Sequence, residues 1–132
     1  MKGPIERLAE AIGYPERVPE GAVSFVFRVD DTPIKARTAG GRMILQWDFP
    51  EDAPVGTLGA FAAGRILREE AVLAWDPAME RAILWQGVAK GADDRTLVKA
   101  FQDFLNSRDW WEARVKELNA PKAKLADLVI NP

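Results

Sequence analysis

Residues 22–49 read AVSFVFRVDDTPIKARTAGGRMILQWDF, and apolar side chains recur at every second position in three separate runs. A period of two is typical of β-strands that bury one face. The pairs Asp30-Asp31 and Gly40-Gly41 separate the runs and favour tight turns. The segment therefore predicts an antiparallel meander of three strands. The recurring apolar positions are Val23, Phe25, Phe27 and Val29, then Ile34 and Ala36, then Met43, Leu45, Trp47 and Phe49.

Amphipathic helices are predicted near both ends of the chain. Pro4 suits a first helical turn, the next apolar residues follow helical spacing, and Gly13 ends the helix. Near the C-terminus, Asp93 is placed to cap a long helix that ends around Leu118. The apolar stripes consist of Ile5, Leu8, Ala9 and Ile12 in the first helix, and Leu97, Phe101, Phe104, Leu105, Trp111, Val115 and Leu118 in the last.

A glycine-rich helix is predicted between the meander and the next strands, from about Pro54 to Leu67. Gly56, Gly59 and Gly64 each destabilise a helix interior by roughly 1 kcal/mol relative to Ala, so a close contact is expected to compensate. Two contacts fit equally well. The thin helix packs against its own sheet, or it packs against the same helix of a second subunit.

A second hairpin is predicted over residues 71–86, and it is apolar on both faces. Leu73 and Trp75 alternate with Val72 and Ala74, and the returning strand continues the pattern with Ala82, Ile83, Leu84 and Trp85. A hairpin of this kind has to be covered twice, once by its own helices and once by another surface. We therefore expect a homodimer, with Leu58, Phe61, Val72, Ala74 and Leu84 at the contact.

These elements predict an α+β fold in which an antiparallel five-stranded sheet and three helices follow the order α-βββ-α-ββ-α. At 132 residues the chain suits one domain with a sizeable core. We assign residues 1–120 to this domain and residues 121–132 to a C-terminal tail with four apolar residues, Leu125, Leu128, Val129 and Ile130.

The composition argues against several classes of function. The chain has no His and no Cys, which removes the commonest acid-base residue, the usual metal ligands and thiolate chemistry. Its net charge of −2 gives no positive field for nucleic acid. The run 71–75 is too short to cross a bilayer, and the first ten residues lack the apolar core of a secretory signal. We expect a nonenzymatic cytoplasmic protein without cofactor or metal, without nucleic-acid binding and without membrane insertion.

Four acidic pairs are the remaining candidates for chemistry. They are Asp30-Asp31, Glu51-Asp52, Glu69-Glu70 and Asp93-Asp94, and all lie at predicted turns or element ends. Turn formation and helix capping account for them without catalysis or metal binding. The Gly-rich segments match neither a P-loop nor a dinucleotide fingerprint, so phosphate binding is also unsupported.

The order of elements resembles that of the type III secretion chaperones of the CesT/SycE-like group (class I), which are small acidic homodimers. The match is best over residues 58–115, where Leu-x-x-Phe-Ala-Ala-Gly precedes Ala-Trp-Asp-Pro, then Ala-Ile-Leu-Trp, and then a helix with Phe101, Phe104 and a late Trp. The resemblance implies a dimer that uses the second helix and neighbouring strands. It also implies a secreted effector or translocator whose extended segment wraps around the dimer and is kept export-competent.

Client binding is expected to combine strand addition at a free sheet edge with apolar pockets. The candidate residues are Val26, Ile34, Ala36 and Ile44, which are the apolar members of the meander expected to lie outside the core, although packing under a helix is an equally ordinary position for them. Two alternatives stay open. One is a regulator-like domain of the same fold without a secretion client, and the other is a small-molecule-binding domain whose pocket is lined by Trp47, Trp75 and Trp85.

Overall fold

The computed structural model describes residues 2–65 and 70–119. The element order is α-βββ-α-ββ-α, which confirms the predicted fold class. The helices are α1 (Pro4–Ile12), α2 (Val55–Arg65) and α3 (Asp94–Leu118). The strands are β1 (Ser24–Val29), β2 (Thr32–Ala39), β3 (Arg42–Asp48), β4 (Val72–Asp76) and β5 (Arg81–Val88).

The five strands form one antiparallel sheet in the order β1-β2-β3-β5-β4, so β1 and β4 are its two edges. Both turns of the meander are two-residue turns with positive φ at each position, namely 49° and 65° at Asp30 and Asp31 and 59° and 80° at Gly40 and Gly41. This geometry matches the right-handed twist of paired strands. It fixes the register that places Phe27 opposite Ile34 and Ala36 opposite Leu45.

One face of the sheet packs against α1 and α3 and forms the core. Phe27 contacts Phe101 of α3 with ring centroids 5.5 Å apart, and Phe49 contacts Trp111 at 5.8 Å. The predicted cap is confirmed, because the Asp93 carboxylate accepts a hydrogen bond from the Thr96 amide at 2.8 Å. The fully buried members of this core include Ile5, Leu8, Phe27, Ile34, Leu45, Phe49, Leu58, Leu84, Leu97, Phe104 and Trp111.

The structure bears on three expectations, which concern Val23, the glycines of α2 and the C-terminal tail. Val23 was expected on the buried face of the first strand, but it precedes β1 and is 68% exposed, so that expectation is wrong. A Cβ added at Gly56 or Gly59 would meet nothing within 4 Å, so close packing against the chain's own sheet does not explain these two glycines. The apolar tail residues lie outside the described residues.

Candidate protein-binding surfaces

The sheet has a second face, opposite the helices, which we call the open face. Its side chains are the strand residues that alternate with the buried core positions. Apart from Gly87 they are Ser24, Val26 and Arg28, then Pro33, Lys35, Arg37 and Ala39, then Arg42, Ile44, Gln46 and Asp48, then Val72, Ala74 and Asp76, and then Arg81, Ile83 and Trp85. All of these side chains keep part of their surface exposed, which distinguishes this face from the helix-covered one.

The β4–β5 half of the open face is apolar except for Asp76 and Arg81 at its end. Val72 pairs with Trp85 and Ala74 pairs with Ile83, so four apolar side chains form a contiguous block that we call the apolar patch. Cross-strand neighbours on one face have Cβ atoms about 5 Å apart, so the four side chains lie next to one another. The Trp85 ring leans over Gly87, where an added Cβ would lie 3.6 Å from the ring. The apolar patch therefore extends towards Ile44, which pairs with Gly87.

The β1–β2 half of the same face is basic. We call Arg28, Lys35, Arg37 and Arg42 the basic strip. Lys35 lies between Arg28 and Arg37 on the sheet, and Arg42 lies diagonally from Arg37. The Lys35 ammonium donates to the Asp48 carboxylate at 2.7 Å, whereas the three arginines have no ion-pair partner among the described residues. The strip therefore combines unpaired positive charge with two apolar neighbours, Val26 and Ile44.

Asp48 is the one carboxylate of the open face with a resolved pKa shift. Burial acts to raise the pKa of Asp48, but hydrogen bonds from Lys35 and Gln46 and the nearby charges of Lys35 and Arg81 lower it overall. The carboxylate is therefore ionised at neutral pH and holds the Lys35 ammonium on β2.

The two sheet edges differ in accessibility. The Val23 carbonyl accepts from the Thr38 amide, so the alternation of an antiparallel ladder directs the N–H and C=O groups of Ser24, Val26 and Arg28 outwards. The Tyr14 hydroxyl accepts a hydrogen bond from the Arg28 amide at 2.9 Å, while the Tyr14 ring packs edge-on against Phe25 and Phe27. The edge at β1 is therefore closed at Arg28, whereas Ser24 and Val26 have no backbone partner on that side within residues 2–65 and 70–119.

The β4 edge shows the same alternation from the other side. The Phe49 amide donates to the Ala82 carbonyl, so Ile83 and Trp85 direct their backbone groups towards β4. Leu73 and Trp75 therefore direct their own N–H and C=O groups to the free edge. The Trp75 side chain is 50% exposed.

Helix α2 contacts β4 and carries a further exposed surface. Phe61 is 39% exposed and its ring lies 6.2 Å from that of Trp110 on α3, while the Arg114 guanidinium stacks 5.1 Å from the same Trp110 ring. Gly56 and Gly59 face open space. Together, α2 and β4 present small residues, large apolar side chains and strand amides that have no partner among the described residues.

The sequence-predicted site residues divide between these surfaces and the core. Ile34 and Ala36 are 0% and 1% exposed under the helices, so the expectation that they lie outside the core is wrong. The reason is the two-residue turn at Asp30-Asp31, which puts them on the same face as Phe27. Val26 is 42% exposed and Ile44 is partly exposed, both on the open face.

The five residues expected at a dimer contact divide in the same way. Phe61, Val72 and Ala74 keep exposed surface, whereas Leu58 and Leu84 are 0% exposed within the chain. Leu84 pairs with Trp47 and Leu73, which places it on the helix-covered face.

Sequence reasoning missed the basic strip, although the alternation of Lys35 and Arg37 with two apolar residues was a signal for it.

A small-molecule site lined by the three tryptophans is not formed. Trp47 and Trp75 lie on the helix-covered face and Trp85 lies on the open face, so the three side chains cannot line one pocket. The described residues do form a cleft of about 670 Å³ between α1 and the loop 14–20, but its walls carry Glu6, Glu10, Glu16 and Glu20 and it opens widely to solvent. No group of three or more acidic side chains among the described residues is placed to hold a metal ion.

The acidic pairs occupy structural positions wherever the structure describes them. Asp30-Asp31 forms the β1–β2 turn, and Glu51 pairs with Arg81 at 2.9 Å beside a turn. The hydrogen bond from Thr96, together with nearby Arg95 and Arg7, holds the pKa of Asp93 below its usual value. Among the described helices, none combines the length and the apolar character needed to span a membrane.

Comparison with known proteins shows similarity at the level of structure. No protein-family model and no curated protein matches the sequence. A chain in the structure of the HopA1–SchA chaperone–effector complex superposes with a TM-score of 0.67 at 16% identity, covering 82% of this chain and 89% of that one.

Two further similar structures come from Pseudomonas aeruginosa. A chain of the ExoT–SpcS complex gives a TM-score of 0.64 at 13% identity over 81% of this chain and 92% of that one. A chain of the heterodimeric ExoU–SpcU complex of the type III secretion system gives 0.62 at 18% identity over 87% and 96%. The chain therefore shares its fold with chains of these complexes, as the resemblance implied.

Proposed function

We propose that this chain is a nonenzymatic type III secretion chaperone that acts in the bacterial cytosol. In this role it binds an extended segment of a secreted effector or translocator and keeps that protein soluble and export-competent. The observation that carries the proposal is the match of more than four-fifths of the chain to chains solved in complexes with protein partners, one of them named a chaperone–effector complex.

The open face supports a mechanism of stoichiometric masking. An extended client segment that lies on the sheet loses its exposed apolar surface to Val26, Ile44 and the neighbouring strands, at about 25 cal/mol per Å² of apolar surface buried. The free amides of Ser24 and Val26 at the β1 edge provide hydrogen bonds for an added strand. Neither step needs nucleotide or metal, so binding depends only on the two proteins.

The proposal includes a homodimer in which a second copy covers α2 and β4. Three observations support this contact. Gly56 and Gly59 have open space, Phe61 and Trp75 are exposed, and the apolar patch ends at the free β4 edge. A stable interface buries about 800 Å² per partner, so the contact would extend over α2, the β4 edge and the apolar patch together. Phe61, Val72 and Ala74 are the predicted contact residues that such an interface would bury.

The test is to delete the gene for this chain in its native host and to follow secreted proteins. We expect one partner to disappear from the secreted fraction and from the soluble cell fraction, and to return to both when the wild-type chain is supplied. Purified wild-type chain should bind that partner without ATP and in the presence of EDTA. Unchanged export and solubility of every secreted protein would contradict the proposal.

The same experiment separates a chaperone from a regulator of the same fold. Client binding is expected to be weakened by Val26→Glu, because the substitution places a charge in the apolar part of the binding surface. Ala11→Glu, at an exposed position of α1 away from the sheet, serves as the control. A partner that binds the chain but is itself never secreted would favour the regulator.

A further inference from the structure

The basic strip is an unusual feature of a chain whose net charge is −2. Its four cations follow one another across β1, β2 and β3 on the open face. Diagonal neighbours on one face of a sheet have Cα atoms about 7–8 Å apart, and residues two apart on one strand are about 7 Å apart. Four like charges at these separations repel one another, and only Lys35 has a described partner, Asp48.

Cations elsewhere on the chain are usually paired. Arg7, Arg81, Lys99, Arg108 and Arg114 each lie within 3 Å of a carboxylate oxygen, and Lys2 and Lys116 also form ion pairs. Arg28, Arg37 and Arg42 are exposed and have no such carboxylate among the described residues. Their repulsion therefore lowers stability slightly in the free chain, and an anionic partner would remove that effect.

Two apolar residues lie within the basic strip and further restrict the kind of partner that fits it. Val26 is 42% exposed, lies next to Arg28 on the strand and directly opposite Lys35. Ile44 lies directly opposite Arg37 on the other side of β2, so Val26 and Ile44 are two strand spacings and two residues apart, about 12 Å. An occupant of this surface has to present apolar side chains at two points and carboxylates around them.

We propose that the basic strip selects extended client segments that present both acidic and apolar side chains on one face, at every second position. The inference rests on the proposed function and names the chemistry of the client. In the bound state, client carboxylates pair with the guanidinium groups of Arg28, Arg37 and Arg42, while client apolar side chains contact Val26 and Ile44. Arginine suits this role because its planar guanidinium binds a carboxylate through two hydrogen bonds.

A protein segment fits this surface better than a nucleic acid does. The described face carries no aromatic side chain next to the arginines on which a base would stack, and Asp30, Asp31 and Asp48 border it. The chain as a whole has a negative charge, which repels a polyanion beyond the strip. A short acidic segment with apolar residues meets the strip without approaching the acidic surfaces elsewhere.

The first part of the test uses synthetic peptides and needs no client. A peptide of eight residues, the length of β2, has the sequence Glu-Ser-Val-Ser-Glu-Ser-Val-Ser, which places Glu and Val on one face of an extended chain, and the control peptide has Lys in place of Glu. Fluorescence anisotropy should show binding of the Glu peptide that weakens about tenfold or more when salt is raised to screen the charges, and no binding of the Lys peptide. Equal binding of the two peptides, or binding of neither, would overturn the proposal.

The second part uses variants of the full chain. Triple reversal of Arg28, Arg37 and Arg42 to Glu should weaken binding of the Glu peptide at least about tenfold, whereas triple replacement by Lys should retain most of it. The matched control reverses Arg17, Arg95 and Lys116, three exposed cations away from the open face. This control changes the net charge equally and should leave peptide affinity within about twofold.

Two further measurements separate the causes of failure. A single-stranded DNA oligonucleotide should not bind, and DNA binding that depends on the three arginines would overturn the assignment to a protein segment. If the client from the deletion experiment binds equally to the wild type and to the triple Glu variant, the proposed function stands and the charge selection is refuted. If no client exists but the Glu peptide binds through the three arginines, the strip is confirmed and the chaperone function fails.

Discussion

The β1–β2 and β4–β5 hairpins belong to one sheet and bury the same kind of surface against the helices, yet their other faces have opposite character. On the helix side both hairpins contribute fully buried apolar side chains, such as Ile34 and Leu84. On the open face the first hairpin presents Arg28, Lys35 and Arg37, and the second presents the apolar patch. The helix-covered face therefore explains folding, and the difference between the open halves indicates two different partners.

The two hairpins are equally buried on the helix side, so truncating a buried side chain in either one should lower stability by a similar amount. Ile34→Ala and Leu84→Ala should each lower the free energy of unfolding by about 2–5 kcal/mol, because each leaves a cavity under the helices. Urea denaturation of both variants measures this. A loss below about 0.5 kcal/mol at either position would show that the hairpin is not packed as described.

If the two halves of the open face bind different partners, the same substitution should have different effects at two equally exposed positions. Phe61 beside β4 and Val26 on β1 are 39% and 42% exposed, so replacing either by Glu should change folding little. Phe61→Glu should weaken dimerisation by about a hundredfold, because it places a charge in a desolvated apolar contact. Val26→Glu should leave dimerisation unchanged, as measured by sedimentation equilibrium. The account is contradicted if both variants dissociate equally.

The two contacts proposed for α2 predict opposite effects of Gly59→Ala on stability. Within one chain an added Cβ meets nothing, so the substitution should stabilise the helix by about 1 kcal/mol. If a second copy approaches α2 closely, the same methyl group should weaken the dimer. Unfolding curves recorded at low and high protein concentration separate these effects. Stabilisation of equal size at both concentrations would exclude a close contact at Gly59.

The smallest expected effect concerns the pH dependence of the Asp48–Lys35 pair, which lies between the two halves. The pKa of Asp48 is lowered in the folded chain from its ordinary value of 3.8, so its contribution is present above that value and is lost as pH falls through the lower, folded pKa. Asp48→Asn should therefore be less stable than the wild type at neutral pH, and the difference should close in strong acid. A stability difference between the two proteins that stays constant at all pH values would show that the ion pair does not cause it.

Local sequence patterns were sufficient to predict the elements but not all of their partners. The period of two and the paired turn residues predicted the meander, and Asp93 predicted the start of α3. The faces of single residues depend on register as well. Ile34 and Ala36 were expected outside the core because alternation alone does not say which face the helices cover. The two-residue turn at Asp30-Asp31 decides this by pairing Phe27 with Ile34.

Longer-range features could not be predicted from local patterns. The Tyr14 hydroxyl reaches the Arg28 amide across fourteen positions of the chain and closes part of the β1 edge. The insertion of β5 between β3 and β4 depends on pairing between strands that are distant in sequence. This pairing places Trp85 next to Gln46 and two strands away from Lys35, so the contrast between the two open halves became visible only in the folded chain.

The most direct test is the mass of the purified wild-type chain by sedimentation equilibrium at micromolar concentration, with Phe61→Glu and Val26→Glu measured alongside. We expect twice the chain mass for the wild type and for Val26→Glu, and the mass of one chain for Phe61→Glu. A wild-type protein that stays monomeric throughout this range would contradict the claim that the α2–β4 side and the apolar patch are covered by a second copy.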